Sequence, residues 1–204
     1  WIDSRIWYLY FIICNTNMRP EMLRAFSQMV AVYLKRTQIA THLSNLLMEL
    51  VQNAEKAHSE RIIVRNNLAG PGEADRFLRK AENRKTVSDF ALQKNELLTL
   101  AWNMNPERNM IGNQYRIQIT ISNYGLVNEI QRASINQKMN TNVEGISLAE
   151  FYGGGEADKL GAGLGLLYNS YLEDYCREEG IYYRCNIVPE PKLEKTSVIV
   201  DIAL

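Results

Sequence analysis

The chain has 204 residues, of which 46% are hydrophobic, and its 23 basic side chains balance its 23 acidic ones. This composition supports one folded domain with its own core, and the zero net charge argues against nucleic acid or an anionic membrane surface as a partner. The three cysteines are odd in number and lack Cys-x-x-Cys spacing, which argues against a disulfide framework and a structural zinc site. A reducing, cytoplasmic location is therefore predicted.

An apolar run rich in aromatic and β-branched residues occupies residues 6–14. It is about half as long as a membrane-spanning helix must be, and its composition favours a buried strand. Pro20 and Glu21 then predict the start of a helix, because proline is tolerated at the first helical position and a carboxylate stabilises the N-terminus. Residues 1–36 are thus predicted to form a strand and a helix that pack on, or extend, the domain that follows.

A second helix is predicted over residues 37–57, with a stripe of apolar side chains at helical spacing. Glu49, Asn53 and Lys56 border that stripe at positions i, i+4 and i+7, so they share one edge of the helix. A carboxylate and an amide four residues apart are able to hold a water molecule and a Mg²⁺ ion. This edge of the helix is therefore a candidate ligand site.

The middle of the chain contains two predicted strands. Residues 61–66 are rich in β-branched side chains, and residues 115–121 alternate isoleucine or tyrosine with polar residues, which is typical of a strand buried on one face. Between them, residues 68–113 form a polar stretch in which the charged run 73–85 predicts a solvated helix or mobile loop. A weaker helical pattern covers residues 90–102.

The last third of the chain carries a glycine-spaced motif at residues 161–166, Gly-Ala-Gly-Leu-Gly-Leu, here called the glycine block. It opens a helix predicted over residues 164–179, and Gly180 marks the end of that helix. Glycines at a loop-to-helix junction leave backbone N–H groups free to approach phosphate oxygens, and the helix dipole favours their charge. Residues 181–188 and 197–203 predict the last two strands.

Together, the acid-and-amide helix and the glycine block suggest a site for a nucleoside triphosphate. Their order resembles the ATP-binding domain shared by sensor histidine kinases, DNA gyrase, the Hsp90 chaperones and mismatch-repair ATPases. The resemblance covers residues 37–204, with an insertion at about 68–113. It implies an α+β fold: a two-layer α/β sandwich in which helices cover one face of a mixed, mostly antiparallel sheet, known as the Bergerat ATP-binding fold.

The resemblance also implies a role for each matching residue on the second helix. Asn53 would ligate Mg²⁺, Glu49 would orient or deprotonate the attacking group, and Lys56 would contact phosphate. The glycine block would supply the phosphate side of the site, through Gly161, Gly163, Leu164 and Gly165. The implied cofactors are ATP and Mg²⁺.

The adenine side of the site departs from the family pattern. The family usually reads Asp-x-Gly-x-Gly after the strand, whereas this chain has Asn123, Tyr124, Gly125, Leu126 and Val127. An amide oxygen still accepts a hydrogen bond from the adenine amino group, but without the charge that strengthens it. The resemblance assigns Asn123, Gly125 and Thr196 to this side, and Phe151 to a lid.

Neither His42 nor His58 lies in the His-Glu-x-x-Arg type of sequence that autophosphorylating kinases use, so both are predicted to be surface or packing residues. The phosphoacceptor is then expected on a regulatory partner protein or on a part of the chain outside the given sequence. A homodimer is a further expected partner arrangement. The leading hypothesis is a signal-transduction module that binds Mg·ATP and transfers phosphate. The competing hypothesis is a catalytically silent scaffold that binds a nucleotide or a partner.

The same residues also have plainer interpretations. Glu49 and Asn53 fit an ordinary solvent-facing pair on an amphipathic helix, and Lys56 fits an exposed lysine near a helix end. The glycine block fits close packing of a helix on a sheet, the Asn123 turn fits a simple strand end, and Thr196 fits a strand residue of high β-propensity.

Overall fold

A computed structural model describes residues 5–11, 18–34, 37–70, 72–109, 112–127, 133 and 164–203. The elements with defined bounds include four successive helices between the first two strands. In chain order they are β1 (Arg5–Phe11), α1 (Met18–Leu34), α2 (Thr37–Arg65), α3 (Ala74–Leu78), α4 (Ala81–Gln93), β2 (Leu98–Asn109), β3 (Gly112–Tyr124), α5 (Leu164–Glu178), β4 (Tyr182–Glu190), a short 3-10 helix (Pro191–Leu193) and β5 (Lys195–Ala203).

The strands form one sheet in the order β1-β2-β3-β5-β4, and each neighbouring pair is antiparallel. Ile119 on β3 marks the middle of the sheet, where it lies opposite Trp102 on β2 and Val200 on β5. All three side chains are buried on the same face, because residues two apart on a strand point to the same side. The polar residues between them occupy the other face.

Helices α2 and α5 pack on the sheet, so the predicted α+β, two-layer α/β sandwich is confirmed. Helix α2 is central: it packs against α1, α5 and β3. Its apolar stripe is buried as predicted, with Ile39, Leu43, Leu46, Leu47, Leu50, Val51 and Ala54 in the main core. The helical spacing of those residues created a stripe wide enough to meet the sheet on one side and two helices on the other.

The sheet contains strands from both predicted parts of the chain, residues 1–36 and residues 37–204. Strand β1, from the N-terminal region, pairs with β2 and forms one edge. Strand β2 lies in the stretch at residues 68–113 and pairs with both β1 and β3. The polar stretch therefore contains a strand of the sheet together with α3 and α4.

The prediction of a strand at residues 61–66 is wrong, because α2 continues to Arg65. Two of its β-branched residues, Ile62 and Ile63, are buried in a second, smaller cluster with Val87 and Ala91 of α4. The next residue, Val64, is 70% exposed. Burial of two successive isoleucines against α4 favours the helix over the local β-propensity of the run.

The weaker helical pattern at residues 90–102 includes the end of a helix and the start of a strand. Helix α4 ends at Gln93, and β2 begins at Leu98, so the helical prediction is wrong for its second half. Leu98, Leu100 and Trp102 are buried in alternation, as a one-sided strand requires. The charged run at 73–85 is mostly helical, within α3 and α4.

Among the described helices, none has an apolar stretch of the length needed to cross a membrane.

The isoleucine at the middle of the sheet provides a test of this core. Ile119 is fully buried, so Ile119→Ala should lower the free energy of unfolding by about 2–5 kcal/mol through lost burial and a residual cavity. Leu92→Ala on α4 is the control, because Leu92 is 59% exposed and should change stability by less than about 0.5 kcal/mol. Urea unfolding followed by circular dichroism measures both. Equal effects of the two substitutions would contradict the arrangement.

Candidate functional site

The acid-and-amide pair lies on the middle of α2. Glu49 and Asn53 are both half-buried and lie beside the buried residues Leu50 and Ala54. Their i, i+4 spacing places the two side chains on one face of the helix, as predicted. They are thus at the border between the core and the surface, where polar side chains remain accessible to a ligand.

Lys56 makes different contacts from the other two. Its side chain is 44% exposed, and its ammonium lies 3.3 Å from Asp75 Oδ2 on α3 and 3.9 Å from Glu60 Oε1 on the next turn of α2. These ion pairs direct the lysine toward α3. A role for Lys56 in contacting phosphate would require it to exchange these carboxylates for the ligand.

Asn123 and Thr196 form a buried polar pair at the end of the sheet. They lie directly opposite each other on β3 and β5, and their exposed fractions are only 8% and 3%. Asn123 follows Ile117, Ile119 and Ile121 at a spacing of two, so it points to the helix-covered face. Its Nδ2 donates to the carbonyl of Tyr124 at 3.2 Å, which leaves Oδ1 as the acceptor end of the amide.

The turn that follows β3 is fixed by hydrogen bonds to the start of β5. Gly125 has φ +118°, a conformation that favours glycine, and its N–H donates to the carbonyl of Glu194 at 2.7 Å. The Thr196 hydroxyl donates to the Gly125 carbonyl at 2.7 Å and accepts from the Val127 N–H at 3.2 Å. The structure therefore brings together Asn123, Gly125 and Thr196, the three residues predicted for the adenine side.

The predicted phosphate side is only partly within the described residues. Helix α5 begins at Leu164, where the sequence predicts it, and Gly165 is its second residue. Gly161, Gly163 and the predicted lid residue Phe151 lie outside the described residues. How the glycine block faces α2 therefore stays a prediction.

An ionic cluster that the sequence did not predict lies beside the turn. Glu96, which is 9% exposed, accepts from Arg61 Nη1 at 3.0 Å and from Arg65 Nη1 at 2.6 Å. The second end of the Arg61 guanidinium donates to Glu194 Oε2 at 2.8 Å. Burial would raise the pKa of Glu96, but hydrogen bonds from Arg65 and Arg61 outweigh it and hold that pKa below its usual 4.5.

One signal for this cluster is present in the sequence. Arg61 and Arg65 are spaced i, i+4 on one helix, and two like charges on one helix face are unfavourable unless an acid lies near them. The acid itself is not recognisable from sequence, because Glu96 is 35 residues from Arg61 and Glu194 is 133 residues away. The incorrect strand prediction for residues 61–66 also hid the shared helix face.

His58 lies on the same part of α2 and is a packing residue, as predicted. Its ring is fully buried, and its centroid lies 6.0 Å from that of Tyr124. Burial lowers the pKa of His58 below the usual 6.5, with smaller opposing effects from Glu96 and the backbone, so the ring is neutral at pH 7. Within the described residues, neither ring nitrogen has a hydrogen-bond partner.

A cavity of about 280 Å³ lies between the end of α2 and helices α3 and α4. Its lining mixes apolar and charged side chains: Leu68, Ala69, Glu73, Arg76, Phe77, Lys80 and Asn83. None of these residues is a predicted site residue. In the described part of the chain, no group of three or more His, Cys, Asp or Glu side chains is arranged to hold a metal ion.

Comparisons with known proteins identify the family of this chain. A family model described as "Family of unknown function (DUF8084)" matches residues 1–204. The chain belongs to DUF8084. No curated protein matches the chain. Among solved structures, this DUF8084 chain is similar to one in the crystal structure of the SiaB-SiaC complex from Pseudomonas aeruginosa, with 16% identity and a TM-score of 0.40 over 97% of this chain and 89% of that chain.

The Thr196 hydroxyl provides a test of the turn. Thr196→Val keeps the shape of the side chain but leaves the Gly125 carbonyl and the Val127 N–H without this partner, so the free energy of unfolding should fall by about 1–3 kcal/mol. Thr196→Ser is the control, because it retains the hydroxyl and should recover most of the loss. Guanidinium unfolding measures both variants. A valine variant as stable as the unmodified protein would contradict the assigned hydrogen bonds.

Glu96 predicts a pH dependence of stability. Because its pKa is lower in the folded state than the usual 4.5, its stabilisation is fully present above about pH 5 and is lost as pH falls through the folded-state pKa. Glu96→Gln should therefore destabilise the protein at pH 7 by about 2 kcal/mol or more, since two arginines lose a charged acceptor. The difference from the unmodified protein should shrink below about pH 4.5.

Urea unfolding between pH 3.5 and 7 measures this difference. Asp75→Asn is the matched control, because its carboxylate pairs with Lys56 on the surface, where its side chain is 69% exposed. Exposed pairs contribute about 0–1 kcal/mol, so this variant should be close to the unmodified protein at each pH. A stability difference for Glu96→Gln that does not depend on pH would show that the carboxylate is not the stabilising group.

Proposed function

We propose that this chain is a regulatory module that binds Mg·ATP between α2 and the end of strands β3 and β5, and that it transfers the terminal phosphate to a partner protein. The observation that carries the proposal is the buried pair of Asn123 and Thr196 beside the fixed turn at Gly125. Burying an amide at the end of an apolar strand face is costly unless its polar atoms have partners. The Thr196 hydroxyl bonds to the turn and Asn123 Nδ2 to the backbone, so Asn123 Oδ1 is the atom that we assign to the ligand.

The chemistry of this pair suits a purine amino group. The Asn123 amide directs Nδ2 to the backbone, so its oxygen is the atom that would accept a hydrogen bond from the base. Gly125 has φ +118°, which favours glycine, and it sets the shape of the turn beside that amide. Thr196 holds the Gly125 turn in place rather than contributing a free hydroxyl, since its hydroxyl bonds to Gly125 and Val127 of that turn.

The residues on α2 suit a metal-bound polyphosphate. Mg²⁺ usually keeps several waters and takes one or two protein oxygens together with phosphate oxygens, so Asn53 alone is sufficient as a ligand. When bound, the metal would neutralise charge on the phosphates. Glu49 would orient the attacking group or accept its proton, and the backbone of Gly161, Gly163, Leu164 and Gly165 would hold the phosphates.

A second candidate function is supported by the same turn. Asn123 replaces the carboxylate of the family pattern and Val127 replaces its second glycine, which weakens adenine recognition relative to that pattern. A chain with these substitutions could serve as a scaffold that keeps the fold, binds a partner protein and does not turn over ATP. Phosphate transfer separates the two candidates.

Binding is tested by thermal unfolding with Mg·ATP. At a ligand concentration of about 100 times Kd, the protein should gain about 2.7 kcal/mol, which for a chain of this size raises Tm by roughly 5–10 °C. Asn53→Ala should lose most of this shift because the metal loses its protein ligand. Gln52→Ala is the matched control, as it removes a neighbouring half-buried amide on α2 that has no proposed role. Absence of a shift with ATP or ADP in the unmodified protein would refute nucleotide binding.

Transfer is tested with γ-labelled ATP and candidate partner proteins. Glu49→Gln should abolish labelling of the partner while leaving the Tm shift in place, because it removes the base and keeps the shape of the side chain. Binding of ATP without transfer by the unmodified protein would favour the scaffold. Labelling that persists in Glu49→Gln would show that another group accepts the proton.

A further inference from the structure

We propose that Arg61 is the positioning residue of the adenine side: one arginine on α2 holds the turn between β3 and β5 in the shape that the base requires. This inference rests on the proposed function for its ligand, but the role of Arg61 in fixing the turn is measurable without any ligand. For brevity, the segment from Tyr124 to Val127 is called the β3 turn.

Arg61 contacts both sides of the turn at once. Its Nη2 donates to Glu194 Oε2 at 2.8 Å, and its guanidinium carbon lies 5.9 Å from the centre of the Tyr124 ring. A Cβ atom built on Gly125 would lie 3.3 Å from Arg61 Cδ, so the arginine stem packs directly against the glycine. Glu96 holds the other end of the guanidinium through Nη1 at 3.0 Å.

The two backbone positions that Arg61 joins are both unusual. Gly125 has φ +118° and Glu194 has φ +49°, and the Gly125 N–H donates to the Glu194 carbonyl at 2.7 Å. A positive φ is unfavourable for a residue with a side chain, so Glu194 requires a compensating contact. Its ion pair with Arg61 supplies one, and the Glu194 side chain is 70% exposed in this pair.

The position of Arg61 on α2 gives this contact a consequence for binding. Asn53 and Glu49 lie two and three turns earlier on the same helix, at intervals of eight and twelve residues. A rigid helix therefore fixes the proposed metal side relative to the β3 turn through Arg61. Loss of the arginine would release the turn without altering Asn53, Glu49 or Asn123 themselves.

Arg65 offers a matched comparison. It shares Glu96 with Arg61, at 2.6 Å, and lies one helical turn further along α2. Within the described residues, its guanidinium pairs with Glu96 and forms no hydrogen bond or ion pair with Glu194, Tyr124 or Gly125. Arg65→Gln therefore removes one ion pair of the same carboxylate and leaves the turn in place, whereas Arg61→Gln and Glu194→Gln each remove the contact to the turn.

The first experiment measures amide hydrogen exchange in the ligand-free protein by NMR. In Arg61→Gln, the Gly125 amide should exchange about tenfold faster, because the turn loses both the packed arginine stem and the ion pair that hold it. Glu194→Gln loses only an exposed ion pair and should speed exchange about threefold. Arg65→Gln should leave that rate within about twofold of the unmodified protein. Arg61→Lys, which keeps the charge but loses the two-ended guanidinium, should give an intermediate rate.

The second experiment measures Kd for Mg·ADP and for Mg·ATP by titration calorimetry on the same variants. Arg61→Gln should weaken binding about tenfold and Glu194→Gln about threefold, and Arg65→Gln should change it by less than about twofold even if it lowers Tm similarly. Equal weakening by Arg61→Gln and Arg65→Gln would show that Arg61 acts only through general stability and would overturn the inference.

The two experiments also separate the inference from the proposed function. If the exchange rates follow the expected pattern and the unmodified protein binds no adenine nucleotide, Arg61 still positions the turn and the proposed ligand is wrong. If the unmodified protein binds Mg·ATP and Arg61→Gln changes neither the Gly125 exchange rate nor Kd, the proposed function stands and the role of Arg61 is refuted.

Discussion

The packing of α2 on the isoleucine face of β3 is the contact on which the rest of the structure depends. Burial of such apolar side chains contributes about 1.5–3 kcal/mol each, more than the roughly 0–1 kcal/mol that is typical of an exposed ion pair. The same strand face continues past Ile121 to Asn123, where an apolar position is occupied by an amide. The helix that closes the core thus also covers the polar end of the strand, and this places the candidate site at the border of the core.

The ionic cluster around Glu96 contributes less to stability than the apolar core does. Removing two guanidinium groups and a carboxylate from water is costly, and such a cluster is seldom more stable than well-packed apolar residues. The cluster contributes geometric specificity, because charged hydrogen bonds form only over a narrow range of distances and angles. They therefore fix the positions of α2, the residues before β2 and the turn before β5 relative to one another. The proposed adenine side lies at that junction, because Gly125 is hydrogen-bonded there to both Glu194 and Thr196.

Much of the fold follows from periodicity. The alternating isoleucines of β3, the apolar stripe of α2 and the start of α5 at Leu164 all lie where sequence patterns predict them. The errors have a common cause. At residues 61–66 and 98–102 the local pattern was ambiguous between helix and strand, and the outcome was decided by what each segment packs against: α4 for Ile62 and Ile63, and the sheet for Leu98 and Leu100.

The sequence by itself determined which side chains could bear chemistry and which faces they occupy, because the periods of helix and strand are local properties of the chain. The resemblance to a known family singled out Asn123, Gly125 and Thr196, but only the antiparallel register of β3 and β5 made Asn123 and Thr196 neighbours. The tertiary structure alone decided that Arg61 bridges Glu96 and Glu194. A contact between residues so far apart along the chain is set by how whole elements pack, and that packing is a property of the complete core rather than of any short segment.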